Sequence, residues 1–198
     1  MQTKPENALS IRDVSPALWP AVEQLFGKNG ACGGCFCMSW RIQKGESWDA
    51  VKGAPAKKRL KVLIESDSAP AAIAFDGDEP VGWCAYGPRP SFAKLDRARS
   101  FACDDAATVW SIPCFFVRKD WRNQGVAKAL LSHVLRRLAK QKVSVVEAYP
   151  TRDPKGGGKM PDAFAWTGTV SLFESLGFEL AGPPDAGKLR MRKRLKAK

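Results

Sequence analysis

Apolar and polar residues follow two periods along this chain, and the clearest example lies between residues 109 and 140. Residues 109–117 are apolar apart from Ser111, which predicts a buried strand. From Gln124 or Gly125 to Lys140 the apolar residues recur at i, i+3, i+4 and i+7, the spacing of a helix with one buried face. These apolar positions are Ala127, Leu130, Leu131, Val134, Leu135 and Leu138. The stretch therefore predicts a strand, a charged turn and an amphipathic helix.

The same two periods predict the other elements of the chain. Strands are expected at residues 9–14, 71–75, 81–86, 143–149, 178–180 and 189–192, and helices at 17–28, 54–67 and 167–176. Residues 1–8 are predicted to be a loose terminus, and residues 87–107 a long polar loop. The sequence contains no internal repeat, so a single domain is expected over residues 1–198.

The turn between the strand and the amphipathic helix has the composition of an anion site. The first N–H groups of a helix have no partner within it, and the helix dipole favours an anion there. Gly125 lets a phosphate approach the backbone, Ala127 keeps the next position small, and Arg122 can form a charge-assisted contact with a phosphate oxygen. The segment is interpreted as a pyrophosphate cradle made of Arg122, Asn123, Gln124, Gly125, Val126 and Ala127.

In this context the stretch resembles motif A of the GNAT superfamily of acyl-CoA-dependent N-acyltransferases. In that family a strand that ends in valine precedes the pattern Arg/Gln-x-x-Gly-x-Gly/Ala, and Val117, Arg122, Gly125 and Ala127 fill those places. Residues 172–178, Leu-Phe-Glu-Ser-Leu-Gly-Phe, are similar to the closing motif of the family, Leu-Tyr-Glu-x-x-Gly-Phe. The resemblance covers roughly residues 9 to 195.

The resemblance implies a fold of the α/β (α+β) class. A mixed, mostly antiparallel central sheet is expected, with helices on both faces and with the fourth and fifth strands splayed apart. In the family, the pantetheine arm of the cofactor bonds to the backbone groups that this gap leaves unpaired. Pro113 suits a strand that faces such a gap, because proline has no N–H to give to a sheet.

The resemblance also implies an activity, the transfer of an acetyl group from acetyl-CoA to a primary amine by direct attack in a ternary complex. The family stabilises the developing oxyanion with backbone N–H groups of the fourth strand, which points to residues 114–117 here. Phe173 stands where many relatives have a tyrosine that protonates the departing thiolate. The implied cofactor-binding residues are Phe115, Phe116, Val117, Arg122, Asn123, Gln124, Gly125, Val126, Ala127 and Phe173.

The catalytic base is not identified by the motifs. Some relatives use a glutamate on the fourth strand, and alignment from Arg122 places Ser111 there, which is no base on its own. Glu147, Tyr149 and Asp153, at the end of the predicted fifth strand, are candidates, and each is equally compatible with a structural role. Ser111, Glu147 and Tyr149 form the predicted catalytic set.

The segment from Ala31 to Arg41 is rich in glycine, cysteine and aromatic residues. A zinc site would have the three thiolates of Cys32, Cys35 and Cys37 but no evident fourth ligand, so no metal is expected. Two compatible interpretations are left open, a packed loop with cysteines as small apolar residues and the wall of an acceptor pocket. The predicted pocket residues are Phe36, Met38, Trp40 and Trp83.

The formal net charge of +12 raises the alternative of a nucleic-acid partner. Seven of the 32 Lys and Arg residues lie in the last eleven residues, which contain no acid, so residues 188–198 are predicted to be a basic final strand and tail. The alternatives are therefore an acetyltransferase directed to charged RNA and a catalytically silent domain that senses acyl-CoA. The sequence does not determine whether the acceptor is a small molecule or a protein. It also does not determine the oligomeric state, for which a dimer is one option.

Neither a membrane span nor a secretory signal is expected. No run of eighteen apolar residues occurs, and the first ten residues lack an apolar signal-peptide core. A cytoplasmic protein with reduced cysteines is the prediction, without a membrane partner.

Overall fold

The computed structural model describes residues 9–152 and 165–196. The helices are α1 (Trp19–Phe26), α2 (Trp48–Val51), α3 (Ala54–Glu65), α4 (Val126–Lys140) and α5 (Val170–Glu174). The strands are β1 (Ser10–Asp13), β2 (Ala71–Asp76), β3 (Glu79–Pro88), β4 (Trp110–Val117), β5 (Val145–Ala148), β6 (Glu179–Leu180) and β7 (Met191–Arg194). No described helix has the length and apolar character needed to cross a membrane.

All seven strands form one sheet in the order β1-β2-β3-β4-β5-β7-β6. Every neighbouring pair is antiparallel except β4 and β5, which run parallel. The β4–β5 ladder contains only three pairs and ends at Ile112 and Ala148, although β4 continues to Val117. The fold class inferred from the sequence is confirmed, including the separation of the fourth and fifth strands.

A β-bulge lies where β4 leaves β5. On β3 a single residue separates Ala85 from Gly87, whereas their partners on β4, Cys114 and Ser111, are separated by two. The extra residue falls at Ile112 or Pro113, and a bulge of this kind bends the strand locally and increases its twist. Pro113 thus occupies a position where the regular ladder is already interrupted, as its missing N–H requires.

The sheet separates two apolar cores. On one face α1, α3 and the loop before α2 pack on side chains that include Ile73, Trp83 and Cys114. On the other face α4 packs through one buried stripe of residues, Val126, Leu130, Leu131, Val134, Leu135 and Leu138. Gly82 on β3 permits this contact, because a Cβ there would lie 2.6 Å from Val126 Cγ1. The start of α4 is therefore fixed closely against the centre of the sheet.

The segment after β3 differs most from its prediction as a polar loop. It forms three short 3-10 turns, Arg89–Ser91, Ala93–Arg97 and Arg99–Phe101, which bury Phe92, Leu95 and Phe101. These residues have neither the helical nor the strand period, so their sequence pattern gives no indication of a packed segment. The predicted C-terminal helix is also shorter: a 3-10 turn, Ala165–Thr167, precedes α5, whose start is capped by the Thr169 hydroxyl.

Candidate active site

The start of α4 has the geometry that suits an anion. Gly125 precedes the helix with φ +78° and ψ −1°, a left-handed conformation that glycine adopts without strain, and no atom lies within 4 Å of its virtual Cβ. Gly125, the capping residue, has no side chain that could bond to the first turn of the helix, and that turn contains no acid. Ala129 is the first residue of α4 whose N–H bonds within the helix, to the Gly125 carbonyl. The N–H groups of the α4 residues before Ala129 are therefore available to a ligand.

Two backbone N–H groups of β4 point into the gap between β4 and β5. The N–H of Arg118 donates to the Val81 carbonyl on β3 at 3.0 Å. Because inter-strand bonds alternate along an antiparallel strand, Phe116 and Cys114 also direct their N–H groups to β3. The N–H groups of Phe115 and Val117 are consequently directed away from β3, into the gap. Of the predicted cofactor residues on β4, these two present their backbones to it.

Arg122 connects the cradle to the end of β4. Its Nε donates to the Val117 carbonyl at 3.2 Å, which holds a guanidinium beside both the gap and the start of α4. Asn123 has a positive φ of 60°, a conformation that asparagine tolerates better than most residues, and Gln124 Nε2 donates to the Asp120 carbonyl at 2.7 Å. The structure thus brings the residues of the predicted cradle together in one ordered turn.

Phe173 is enclosed in the core below the gap. Its ring lies 6.1 Å from the Phe115 ring and 5.2 Å from the Phe178 ring, measured between centroids. Its edge faces Gly168, where a Cβ would lie 2.6 Å from Cε2 and 2.9 Å from Cζ. The phenyl ring fills an apolar space completely, and the side chain is fully buried.

The three predicted catalytic residues form one buried hydrogen-bonded chain. Ser111 Oγ lies 2.7 Å from the Tyr149 hydroxyl, which donates to Glu147 Oε2 at 2.9 Å. Since the phenolic proton goes to Glu147, the Ser111 hydroxyl is the donor to Tyr149. Burial, together with the Glu147 charge, raises the pKa of Tyr149 well above its ordinary value, so the phenol is protonated at neutral pH. Asp153, the other candidate, lies outside the described residues.

Glu147 is the centre of a buried ionic network. Its Oε1 accepts from Arg190 Nη1 at 2.7 Å and from Arg192 Nη2 at 2.6 Å, and Arg89 Nε lies 3.6 Å from Oε2. The Glu147 side chain has no exposed surface, and those of Arg190 and Arg192 are only 11% and 19% exposed. The oxygens of this carboxylate are therefore occupied by hydrogen bonds from Tyr149, Arg190 and Arg192. Two cations of the predicted basic tail are therefore used inside the domain.

The predicted acceptor-pocket residues fall into two groups. Phe36 and Trp83 both pack on Phe26, with ring centroids 5.7 Å and 5.0 Å from it, and belong to the core. Trp40 is buried against Tyr149 at 6.1 Å and Trp166 at 5.7 Å, measured between ring centroids, beside the hydrogen-bonded chain of Ser111, Tyr149 and Glu147. Met38 lines an open cavity of about 610 Å³ between α3 and the segment of residues 31–41, here called the cysteine loop. Trp40 is thus the member of the set in contact with a predicted catalytic residue.

The cysteine loop directs its sulfur atoms to different surroundings. Cys32 is exposed, whereas Cys37 is buried with its Sγ 3.1 Å from Cys114 Sγ on β4. The hydrogen bond with Cys37 and burial raise the pKa of the Cys114 thiol, and burial raises that of Cys35. Within residues 9–152 and 165–196, no group of three or more His, Cys, Asp or Glu side chains is arranged to hold a metal ion.

Purified protein is expected to contain no stoichiometric zinc, because the sulfur atoms of Cys32, Cys35 and Cys37 face different surroundings and do not converge on one point. Elemental analysis of protein produced without added metal tests this, and EDTA should leave the melting temperature unchanged. Equimolar zinc together with unfolding on chelation would contradict the prediction.

Lys188, which the sequence placed in the basic final strand and tail, has defined contacts within the domain. The antiparallel pairing of β5 and β7 extends beyond both strands to an isolated bridge between Thr151 and Lys188. Lys188 Nζ donates to Thr151 Oγ1 at 2.8 Å and lies 4.9 Å above the Trp166 ring. The alternation of residues 188, 190 and 192 on one strand face was visible in the sequence, but the element facing them was not.

A sequence model of the Acetyltransferase (GNAT) family matches residues 38–154, more than half of the chain. The chain belongs to this family. The match includes β4, the cradle and the start of α4, the elements that form the site. No curated protein matches the sequence significantly.

Solved structures share the GNAT fold at low sequence identity. The ribosomal-protein-alanine N-acetyltransferase of Brucella melitensis is 18% identical, with a TM-score of 0.54 over 94% of this chain and 99% of that one. The PaiA N-acetyltransferase of Thermoplasma acidophilum, in complex with coenzyme A, is 14% identical, with a TM-score of 0.54 over 94% and 99%. YncA of Salmonella typhimurium, with its cofactor acetyl-CoA, is 14% identical, with a TM-score of 0.56 over 97% and 96%.

Proposed function

We propose that this GNAT protein transfers an acetyl group from acetyl-CoA to a primary amine by direct attack in a ternary complex. The observation that carries the proposal is the uncapped start of α4 beside the point where β4 leaves β5. Helix N–H groups suit a pyrophosphate, and strand N–H groups suit the amides of an extended arm. Two structural neighbours were solved with coenzyme A or acetyl-CoA, which supports the same cosubstrate here.

The cradle and the gap supply the contacts for such a ligand. The N–H groups at the start of α4 and the guanidinium of Arg122 would hold the pyrophosphate, with Gly125 leaving the approach open. Phe115 and Val117 would bond to the pantetheine arm through their backbones, while Phe116 would contribute apolar surface. The acetyl thioester supplies an activated carbonyl when it is bound. An N–H of β4 that reaches the carbonyl oxygen stabilises its negative charge.

The acceptor ammonium must lose a proton before its nitrogen can attack, since an amine of pKa near 10 is mostly protonated at neutral pH. Glu147 is enclosed by guanidinium groups, and the Tyr149 hydroxyl already donates to it. These two residues, with Ser111, are therefore assigned a positioning role on the floor of the site. Water carries the proton away, and the cationic surroundings lower the pKa of the bound amine.

Phe173→Tyr is expected to leave kcat within about tenfold of the wild-type value, since a productive acid contributes ~10²-fold or more. A thiol has an unperturbed pKa of about 8.5, so a thiolate leaves without a dedicated acid. Steady-state release of free CoA measures the effect. The new hydroxyl enters the apolar space between Phe115, Gly168 and Phe178, so denaturant unfolding of the same variant serves as a control. A hundredfold increase in kcat would instead identify the natural protein as a weakened enzyme.

The alternative function is a domain that senses acyl-CoA without turnover. It is favoured by the pairing of Glu147 with arginine side chains and by the phenylalanine at residue 173. Calorimetry with acetyl-CoA, followed by a CoA-release assay with a panel of amines, separates the two functions. Binding together with amine-dependent CoA release supports the enzyme, whereas tight binding without release from any amine supports the sensor.

A further inference from the structure

Lys188 lies in an aromatic wall beside the proposed transfer site. Its ammonium donates to the hydroxyls of Thr151 and Thr167 at 2.8 Å and 3.4 Å and covers the face of Trp166. Trp166 in turn packs on Trp40, which contacts Tyr149. The 3-10 turn that contains Thr167 packs against β4, the strand that lines the gap, so Lys188 lies close to the proposed transfer site.

Lys188 has no acidic partner in the part of the chain that the structure describes. The next two cations on the same face of the strand, Arg190 and Arg192, are both paired with Glu147. The charge of a second cation, Lys94, also acts on Lys188, and the backbone N–H of Lys94 donates to the Trp40 carbonyl at 3.1 Å. Burial, followed by repulsion from Lys94, lowers the pKa of Lys188 to about 8.

A half-buried ammonium without an acidic partner is unfavourable unless an anion offsets its charge. Two further features of the same wall suit an anionic ligand. The indole N–H of Trp40 is buried and has no acceptor within the described ranges. The nearby acids are already engaged, since Asp105 pairs with Arg192 and Glu147 is held within its network. Among the residues that the structure describes, the wall therefore offers donors and positive charge but no free carboxylate that could bind a cation.

From this arrangement we propose that Lys188 binds a carboxylate of the acceptor, so that the acceptor is an amine carrying an acid group, such as an amino acid. The proposal rests on the proposed acetyl transfer and specifies its substrate class. The acceptor carboxylate would lie between Lys188 and Lys94, and its apolar part would contact Trp40 and Trp166. Polyamines, which carry only positive charge, would be repelled by the same pair of lysines.

The test uses amino acids, each paired with the amine that lacks its carboxylate, for example phenylalanine with phenethylamine. Wild-type protein is expected to favour the acid member of a pair by about tenfold to a hundredfold in kcat/KM, the usual effect of a hydrogen bond to a charged group. Lys188→Gln should remove this preference, mainly by raising KM for the acid, and should change kcat/KM for the amine by less than about threefold. Lys188→Arg should retain part of the preference, because it keeps the positive charge.

Lys140→Gln, at the exposed end of α4, is the matched control and should leave the preference unchanged. The proposal is overturned if wild-type protein uses both members of each pair equally, or if Lys188→Gln lowers both members equally. It is also overturned if amines without an acid group are acetylated and acid-bearing amines are not. Calorimetry with N-acetylphenylalanine and N-acetylphenethylamine measures the same preference without turnover, as a difference between their two binding affinities. Failure of the proposed function itself is distinct, because it appears as absent acetyl-CoA binding or as no CoA release with any amine.

Discussion

Replacing Gly125 by glutamate is expected to lower the affinity for acetyl-CoA by at least about a hundredfold, because a carboxylate within ~4–6 Å of the pyrophosphate opposes binding by about 3 kcal/mol. The residue starts α4 with φ +78°, and the space beyond its virtual Cβ is open. A side chain there would extend into the region assigned to the phosphates. The left-handed conformation adds a strain of about 1–2 kcal/mol, which a domain with 5–15 kcal/mol of stability tolerates.

Isothermal titration calorimetry with acetyl-CoA measures the effect, and two variants isolate its cause. Gly125→Gln introduces the same strain and bulk without the charge, so its affinity should be clearly higher than that of Gly125→Glu. Gly77→Glu places the same acid at another exposed glycine with positive φ and open surroundings, in the β2–β3 turn, and should bind normally. Unchanged affinity in folded Gly125→Glu would refute the cradle and, with it, the proposed function.

The cradle could be predicted because its physical requirements are local. The apolar period of α4, the strand before it and Gly125 lie within about thirty consecutive residues, and each satisfies a rule that depends on near neighbours. Even the separation of β4 and β5 followed from family resemblance and from Pro113. What the sequence did not show is the role of Gly82, which permits the close approach of Val126 across the sheet.

The other side of the site depends on contacts between distant parts of the chain. Lys188 pairs with Thr151, and Glu147 with Arg89, Arg190 and Arg192, at separations of about 40 to 60 residues. Charged residues are exposed by default, so a basic C-terminal segment is ordinarily interpreted as a solvated tail. Nothing in the one-dimensional pattern shows that β7 enters the sheet between β5 and β6 and thereby places its cations on a buried carboxylate.

Glu147→Gln is expected to destabilise the domain by about 3–5 kcal/mol, because removal of one partner leaves buried cations without a counter-charge. The carboxylate has no exposed surface and accepts from Tyr149, Arg190 and Arg192. Denaturant unfolding measures the loss. Glu23→Gln is the matched control, since Glu23 pairs with Lys57 at the surface and exposed ion pairs contribute little, so its unfolding midpoint should hardly move.

The same variant also decides between a structural and a catalytic role for Glu147. Adding Arg190→Gln removes one of the uncompensated cations, so the double variant should lose less stability than the sum of the two single changes. A general base would behave differently, because its loss lowers the rate by ~10²–10⁴-fold without requiring any change in stability. If Glu147→Gln keeps wild-type stability and loses turnover to that extent, the arginines must leave enough basicity on the carboxylate for proton transfer. If stability falls and the folded fraction keeps a rate within about tenfold of wild type, Glu147 supports the floor of the site and the proton leaves the amine by another route.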